Sequence, residues 1–163
     1  MEQAITLLVN GEQRQLRVRC DETLLETLRD RCGLTSVRET CGIGICGACT
    51  ILVEGRPTSS CLVLSALADG WSITTLEGLT GPDGALHPVQ EAFLEKQAFQ
   101  CSYCTPGMIL TTVALLAENP HPTRTEIAQY LAGNLCRCGS YLRILAAVEE
   151  AARKVQGSAQ GCA

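Results

Sequence analysis

The sequence predicts an α+β chain in two halves: a β-grasp half of two hairpins, one helix and a return strand, followed by a bundle of four short helices. Three observations carry this. The first half alternates polar and apolar residues and is punctuated by hairpin signals such as Asn10-Gly11. The second half repeats apolar residues at helical spacing. Between them "TGPDGALHP" (80–88) concentrates Gly, Pro and Asp, as a linker does. The expected division is 1–79, 80–156 and a flexible tail at 157–163, "QGSAQGCA" being the fraying end.

Each element has a local reason. "AITLLVN" reads as a strand, and "EQRQLRVRC" returns after the Asn10-Gly11 turn. "TLLETLRDR" (23–31) spaces Leu24, Leu25 and Leu28 as a helix, with Gly33 placed to stop it. A glycine-rich cysteine loop follows from Thr40 to Cys49. "TILVEG", a turn at Gly55-Arg56-Pro57 and "SSCLVL" are expected as the second hairpin, and "WSITTLE" (71–77) as the return strand. The helices are expected over "VQEAFLEKQ", "PGMILTTVALLAEN", "TRTEIAQYLAG" and "SYLRILAAVEEAARKV". Pro106 suits a first helical position, Asn119-Pro120 a stop, and Thr123-x-x-Glu126 a capping box.

Composition excludes some functions. A net charge of −4 and 4% aromatic residues argue against nucleic-acid binding. The apolar run "MILTTVALLA" has ten residues, against roughly 20 for a membrane span. The N-terminus has no basic region or cleavage site of a signal peptide, so the cytoplasm is expected, or the periplasm if a partner subunit carries an export signal. In such a setting 11 cysteines, an odd number and closely clustered, point to metal rather than disulfides.

Cys41, Cys46 and Cys49 are spaced C-x4-C-x2-C, and Cys61 follows after eleven residues. This is the plant-type 2Fe–2S spacing. Gly42, Gly44 and Gly47 let the loop wrap a cluster, with amide N–H groups turned toward negatively charged sulfurs. "GIGICG" also matches a dinucleotide fingerprint, but no strand and helix flank it. Zinc sites favour paired C-x2-C knuckles, and a redox dithiol at Cys46 and Cys49 lacks its βαβ setting.

Cys101 and Cys104 with Cys136 and Cys138 make a second set, C-x2-C-x31-C-x-C. Both pairs precede predicted helices, whose N-termini favour an anionic group. The C-x-C spacing lets two sulfurs reach one iron, leaving Cys101 and Cys104 for the other. Zinc remains the alternative, and a dithiol at Cys101 and Cys104 would leave Cys136 and Cys138 unexplained.

Taken in order, "CGIGICGACT…C", "QCSYCTPGM" and "GNLCRCGSYLRI" resemble the small iron–sulfur subunit of the molybdenum hydroxylases, the xanthine dehydrogenase and aldehyde oxidoreductase family. The resemblance implies a plant-ferredoxin-like β-grasp domain and a four-helix domain, with one 2Fe–2S cluster each. It implies an electron-transfer role beside a large molybdopterin subunit, with an FAD subunit or a cytochrome as acceptor. It places the second cluster, Gln100 and Cys138 next to the pterin, and puts no substrate-reacting group on this chain. The sequence departs from the family's habit at Ser102 (more often Gly), at Gly139-Ser140 (often Thr-Gly) and at Ile45 (often polar). The rivals are a free-standing two-cluster ferredoxin and a zinc-stabilised interaction module.

Other residues have plainer readings. Cys20 and Cys32 are expected as small buried hydrophobes and Cys162 as an adventitious thiol in the tail. His87 and His121 each precede a proline and read as loop or helix-start residues. Arg137 is either a solvated charge or an offset to cluster charge at a subunit contact.

Overall fold

A computed structural model of the chain describes residues 1–81 and 83–160, so Cys162 lies outside the described residues. β1 (Glu2–Val9) and β2 (Glu12–Arg19) form the first hairpin. Asn10 and Gly11 both adopt positive φ, 52° and 81°, the turn whose twist matches the strands. β3 (Thr50–Val53), β4 (Arg56–Ser59) and β5 (Ser72–Thr74) complete a sheet of order β2-β1-β5-β3-β4. β5 runs parallel to β1 and antiparallel to β3, so the return strand closes the sheet between the two hairpins.

The second hairpin differs from the sequence expectation. Its turn is Glu54-Gly55, with φ of 49° and 79°, and Arg56 and Pro57 already belong to β4. Pro57 is tolerated because β4 is an edge strand. "SSCLVL" is therefore not a strand. Ser60–Leu62 forms a 3₁₀ turn, and the Ser60 hydroxyl donates to the Cys49 carbonyl at 2.8 Å, which sets Cys61 beside Cys49.

α1 (Leu24–Glu26) continues into a π turn (Thr27–Arg31) and covers the sheet. Leu24, Leu25 and Leu28 pack with Ile5, Leu7, Val9, Val18, Ile51 and Ile73 in one core. The alternation of Ile5, Leu7 and Val9 is what turns one face of β1 inward. Thr23 caps α1 reciprocally with Glu26.

The helical half holds α2 (Pro88–Glu95), α3 (Thr105–Glu118), α4 (Arg124–Tyr130) and α5 (Tyr141–Gln160). His87 is the N-cap of α2, its Nδ1 accepting the Val89 N–H, and Thr123 and Glu126 form the expected box on α4. Phe93, Met108, Ile127, Ile144 and Val148 lie in the shared core. α5 runs past 156 to Gln160, beyond the expected start of the tail. Gly157 weakens the helix by about 1 kcal/mol but no proline stops it. Among the described residues no helix is long and apolar enough to cross a membrane.

Glu22 locks α1 onto the first hairpin. Its buried carboxylate accepts two bonds from Arg31 (2.5 and 2.6 Å), one from the Thr27 hydroxyl (2.7 Å) and one from the Arg19 N–H (3.3 Å). The Arg31 bonds, aided by Thr27 and Arg19 and against the opposing effect of burial, hold its pKa down at about 2 from 4.5. A depressed carboxylate pKa contributes stability that is complete above 4.5 and is lost as pH falls toward 2. Glu22→Gln should therefore cost roughly 1–3 kcal/mol at neutral pH and flatten the acid limb of stability. Urea unfolding followed by Trp71 fluorescence from pH 6 to pH 2 checks this; parallel curves for the two proteins would refute it.

Candidate iron–sulfur sites

The first cysteine loop lies between α1 and β3 and depends on left-handed glycines. Gly42, Gly44 and Gly47 have φ of 66°, 73° and 68°, conformations that L side chains rarely adopt. The turns aim amides inward. The Cys41 sulfur takes backbone N–H groups from Ile43, Cys46 and Ile45, with the Cys46 thiol beside it, and its pKa falls to about 6. Cys61 is the opposite case. Burial, then the neighbouring Cys49 thiol, push it up to about 11 despite an N–H from Gly44. The four expected cysteines thus come within one another's electrostatic reach, Cys41 beside Cys46 and Cys61 beside Cys49 and Cys41.

The second set sits at two helix N-termini, as the sequence suggests. Cys104 is the N-cap of α3, and Cys136 and Cys138 lead into α5. The sulfur approaches cross between the corners. Cys138 Sγ lies 3.4 Å from Cys101 Sγ, and Cys104 meets Cys136. The two sulfurs of the C-x-C pair therefore face different partners, a pairing that the spacing left open. Burial and the Cys136 thiol push Cys104 up to about 12. Burial acts on Cys136 too, but N–H donors from Ser140 and Cys138 and the Cys104 thiol outweigh it, and its pKa falls. The Cys101 thiol is lowered by the Tyr103 N–H and then by Cys138.

All of these cysteines are free thiols. Paired thiols suit a centre of two irons, each taking two sulfurs. Such a centre also supplies the positive charge that Cys61 and Cys104, held protonated by burial, need to become thiolates.

A buried seam joins the two sets. Asn134 Nδ2 donates to the Gly47 carbonyl (3.1 Å) and to Thr50 Oγ1 (3.3 Å), while its Oδ1 accepts from Thr111 Oγ1 (2.9 Å). The Leu135 N–H donates to the Cys46 carbonyl at 2.9 Å. A Cβ at Gly47 would lie 2.5 Å from the Gly133 carbonyl, and one at Gly107 would lie 2.3 Å from the Gly47 carbonyl. On the other flank Tyr103 OH donates to the Glu39 carbonyl (2.7 Å), and Arg38 lies over the Tyr103 ring at 5.0 Å while bonding the Ser102 carbonyl. Sequence reasoning missed Asn134, Thr111, Arg38 and Tyr103. The only hint was that Asn134 sits inside the cysteine motif.

Gln100 and Cys138 do come together, Gln100 Nε2 donating to the Cys138 carbonyl at 3.2 Å with Gln100 exposed. Tyr141 OH accepts the Cys136 N–H at 2.8 Å. Arg137 is exposed. Cys20 is exposed rather than buried, since it lies past the end of β2, and Cys32 is half-buried.

Residues 7–76 match the family model described as a 2Fe-2S iron-sulfur cluster binding domain, and residues 75–149 match a [2Fe-2S] binding domain. The nicotinate dehydrogenase small FeS subunit of Eubacterium barkeri is 49% identical, over 92% of this chain and 95% of that one. The aldehyde oxidoreductase iron-sulfur-binding subunit PaoA of Escherichia coli K12 is 44% identical, over 93% of this chain and 72% of that one. The chain belongs to the iron–sulfur subunits of the molybdenum hydroxylases. The crystal structure of quinoline 2-oxidoreductase from Pseudomonas putida 86 contains a chain with the same fold, at a TM-score of 0.90 and 39% identity over 95% of this chain and 96% of that one.

Two outcomes follow from the seam. Asn134→Ala leaves the Gly47 carbonyl and Thr111 hydroxyl without this partner and should cost about 2–3 kcal/mol, read as a lower melting midpoint; an unchanged midpoint would show that the amide does not hold the seam. Ser102 stands at φ 62°, a left-handed conformation that costs serine more than glycine. Ser102→Gly should raise stability by up to about 1 kcal/mol in urea unfolding, and a loss would contradict the strain.

Proposed function

We propose that the chain relays single electrons between a large molybdopterin subunit and an acceptor, with Cys41, Cys46, Cys49 and Cys61 holding one 2Fe–2S cluster and Cys101, Cys104, Cys136 and Cys138 the other. Bound there, the clusters supply one-electron centres between a two-electron substrate oxidation and the acceptor. Crossed sulfur contacts support an arrangement in which each iron of the second centre takes one cysteine from each corner, Cys101 with Cys138 and Cys104 with Cys136. By the same geometry Cys41 shares an iron with Cys46, and Cys49 with Cys61.

The observation that carries the relay reading is the bond from the Leu135 N–H to the Cys46 carbonyl, 2.9 Å. It links a ligand of the first set to the residue preceding a ligand of the second through one hydrogen bond. The surrounding seam holds that contact in register: Asn134 is buried, and Gly47 and Gly107 permit backbone contact.

The chain's two ends of the relay differ in surface. Gln100 and Cys138, joined and accessible, are proposed to meet the pterin of the large subunit, where an amide can both donate and accept. Beside the first set, Ile43, Ile45 and Leu62 are 63%, 60% and 65% exposed, an apolar face that suits burial against the acceptor subunit, an FAD protein or a cytochrome. The proposal includes a complex in the cytoplasm, or in the periplasm if a partner subunit carries an export signal. Substrate choice belongs to the pocket of the large subunit.

The purified complex should contain about 4 iron and about 4 acid-labile sulfide per copy of this chain, with two distinct paramagnetic signals on reduction. Stoichiometric zinc without visible absorption would overturn the assignment, and a chain that purifies alone, with full loading and no large subunit, would make it a free carrier. Cys138→Ser should remove the second signal and substrate-driven reduction of the first while leaving the first assembled. Both signals surviving with normal turnover would exclude Cys138 as a ligand.

A further inference from the structure

Arg38, three residues before Cys41, is half-buried. Among the described residues no carboxylate pairs with it. The cleft beside it does hold a carboxylate, Glu77. Both Glu77 oxygens are taken elsewhere: one accepts the Ser36 N–H (3.0 Å), the other the hydroxyls of Ser36 (2.5 Å) and Thr75 (2.6 Å). A cation that gives up hydration without gaining an anion is costly, so its position needs a reason.

What holds the Arg38 side chain is the second cysteine set. Its Nη1 donates to the Ser102 carbonyl, and its guanidinium lies over the Tyr103 ring at 5.0 Å. Both residues lie between Cys101 and Cys104. The Tyr103 hydroxyl in turn donates to the Glu39 carbonyl at 2.7 Å, so residues 38 and 39 are clasped to 102 and 103 by bonds in both directions. The backbone of Arg38 stays with the first set, its N–H donating to the Ala48 carbonyl, next to Cys49, at 3.2 Å. Ser102 keeps its left-handed φ of 62° while presenting its carbonyl to Arg38. Arginine suits such a place, because its guanidinium is always charged, is weakly hydrated and stacks on aromatic faces.

We propose that the Arg38 guanidinium is the counter-charge of the second cluster, reaching across from the first cysteine loop to favour the reduced state of that centre. The inference rests on the reading of Cys101, Cys104, Cys136 and Cys138 as ligands. Two ferric ions, two sulfides and four thiolates sum to a negative charge, and reduction adds one more. A fixed positive charge therefore stabilises the reduced state more than the oxidised one, and net charge is among the levers that set such potentials. The side chain is fastened to the loop of Cys101 and Cys104, so the second centre feels the charge more than the first.

The test is a redox titration of the purified complex, following both paramagnetic signals in the wild type, Arg38→Met, Arg38→Lys and Tyr103→Phe; the second centre is the one whose signal Cys138→Ser removes. Loss of the charge in Arg38→Met should lower the reduced-to-oxidised ratio of the second centre about tenfold at a fixed potential, a negative shift of about 59 mV for a one-electron couple. The first centre should move less. Arg38→Lys keeps the charge and should titrate nearer to the wild type than to Arg38→Met. Tyr103→Phe breaks the clasp at the Glu39 carbonyl but keeps the charge, so its melting midpoint should fall while both potentials stay. An unmoved second potential in Arg38→Met, an equal shift of both centres, or a shift in Arg38→Lys or Tyr103→Phe as large as in Arg38→Met overturns the proposal. If Arg38→Met loses the second signal, retention of the signal and its potential in Arg38→Lys supports the charge, and loss in both overturns it. A wild type with no second signal would fail the ligand assignment itself, and the proposal with it.

Discussion

A single buried amide governs how the two halves meet. Asn134 comes from the second cysteine motif and bonds the carbonyl of Gly47, eighty-seven residues earlier, together with Thr50 and Thr111. The Gly47 carbonyl lies at a contact where side chains are excluded on both faces, from Gly47 itself and from Gly107. The small apolar cluster of Leu52, Leu110 and Ala114 extends the seam behind it. Without this contact each cysteine loop would still have its own core, but the Gly47 carbonyl and the Thr111 hydroxyl would lose the amide that ties them together.

The two cysteine sets solve one electrostatic problem in parallel. Each combines thiols served by backbone N–H groups with thiols that burial holds protonated. The first kind is prepared to bear charge, and the second becomes anionic only when cationic iron arrives. Left-handed glycines turn the Ile43, Ile45 and Cys46 N–H groups inward in the first set, and the N–H groups of Tyr103, Cys138 and Ser140, just before two helices, serve the second. Different local structures thus give the same result: a thiolate cage whose charge is spread over protein dipoles rather than water.

The cysteine motifs, the glycines and the element order were legible because each rests on short-range spacing. Asn10-Gly11 announces its turn, and Thr123 with Glu126 announces a helix start. Features that depend on non-local partners were not legible. Glu54-Gly55 forms the second turn because the register of Thr50 with Ser59 demands it, and glutamate at positive φ sends no signal in sequence. Crossing of the sulfurs between corners follows from how α3 and α5 pack, not from the C-x-C spacing. Arg38 and Tyr103 looked like surface residues, since their shared contact spans sixty-five positions. The left-handed φ of Ser102 likewise has no local sequence signal.

The claim on which the rest turns is that one rigid seam holds the two centres in electronic contact. Its most direct test is the paramagnetic spectrum of the complex at low temperature, compared between partial and full reduction. If the seam holds Cys46 against Leu135 as described, each signal should broaden or split when the other centre is also reduced. Spectra of the fully reduced protein that are a simple sum of two unperturbed signals would contradict it.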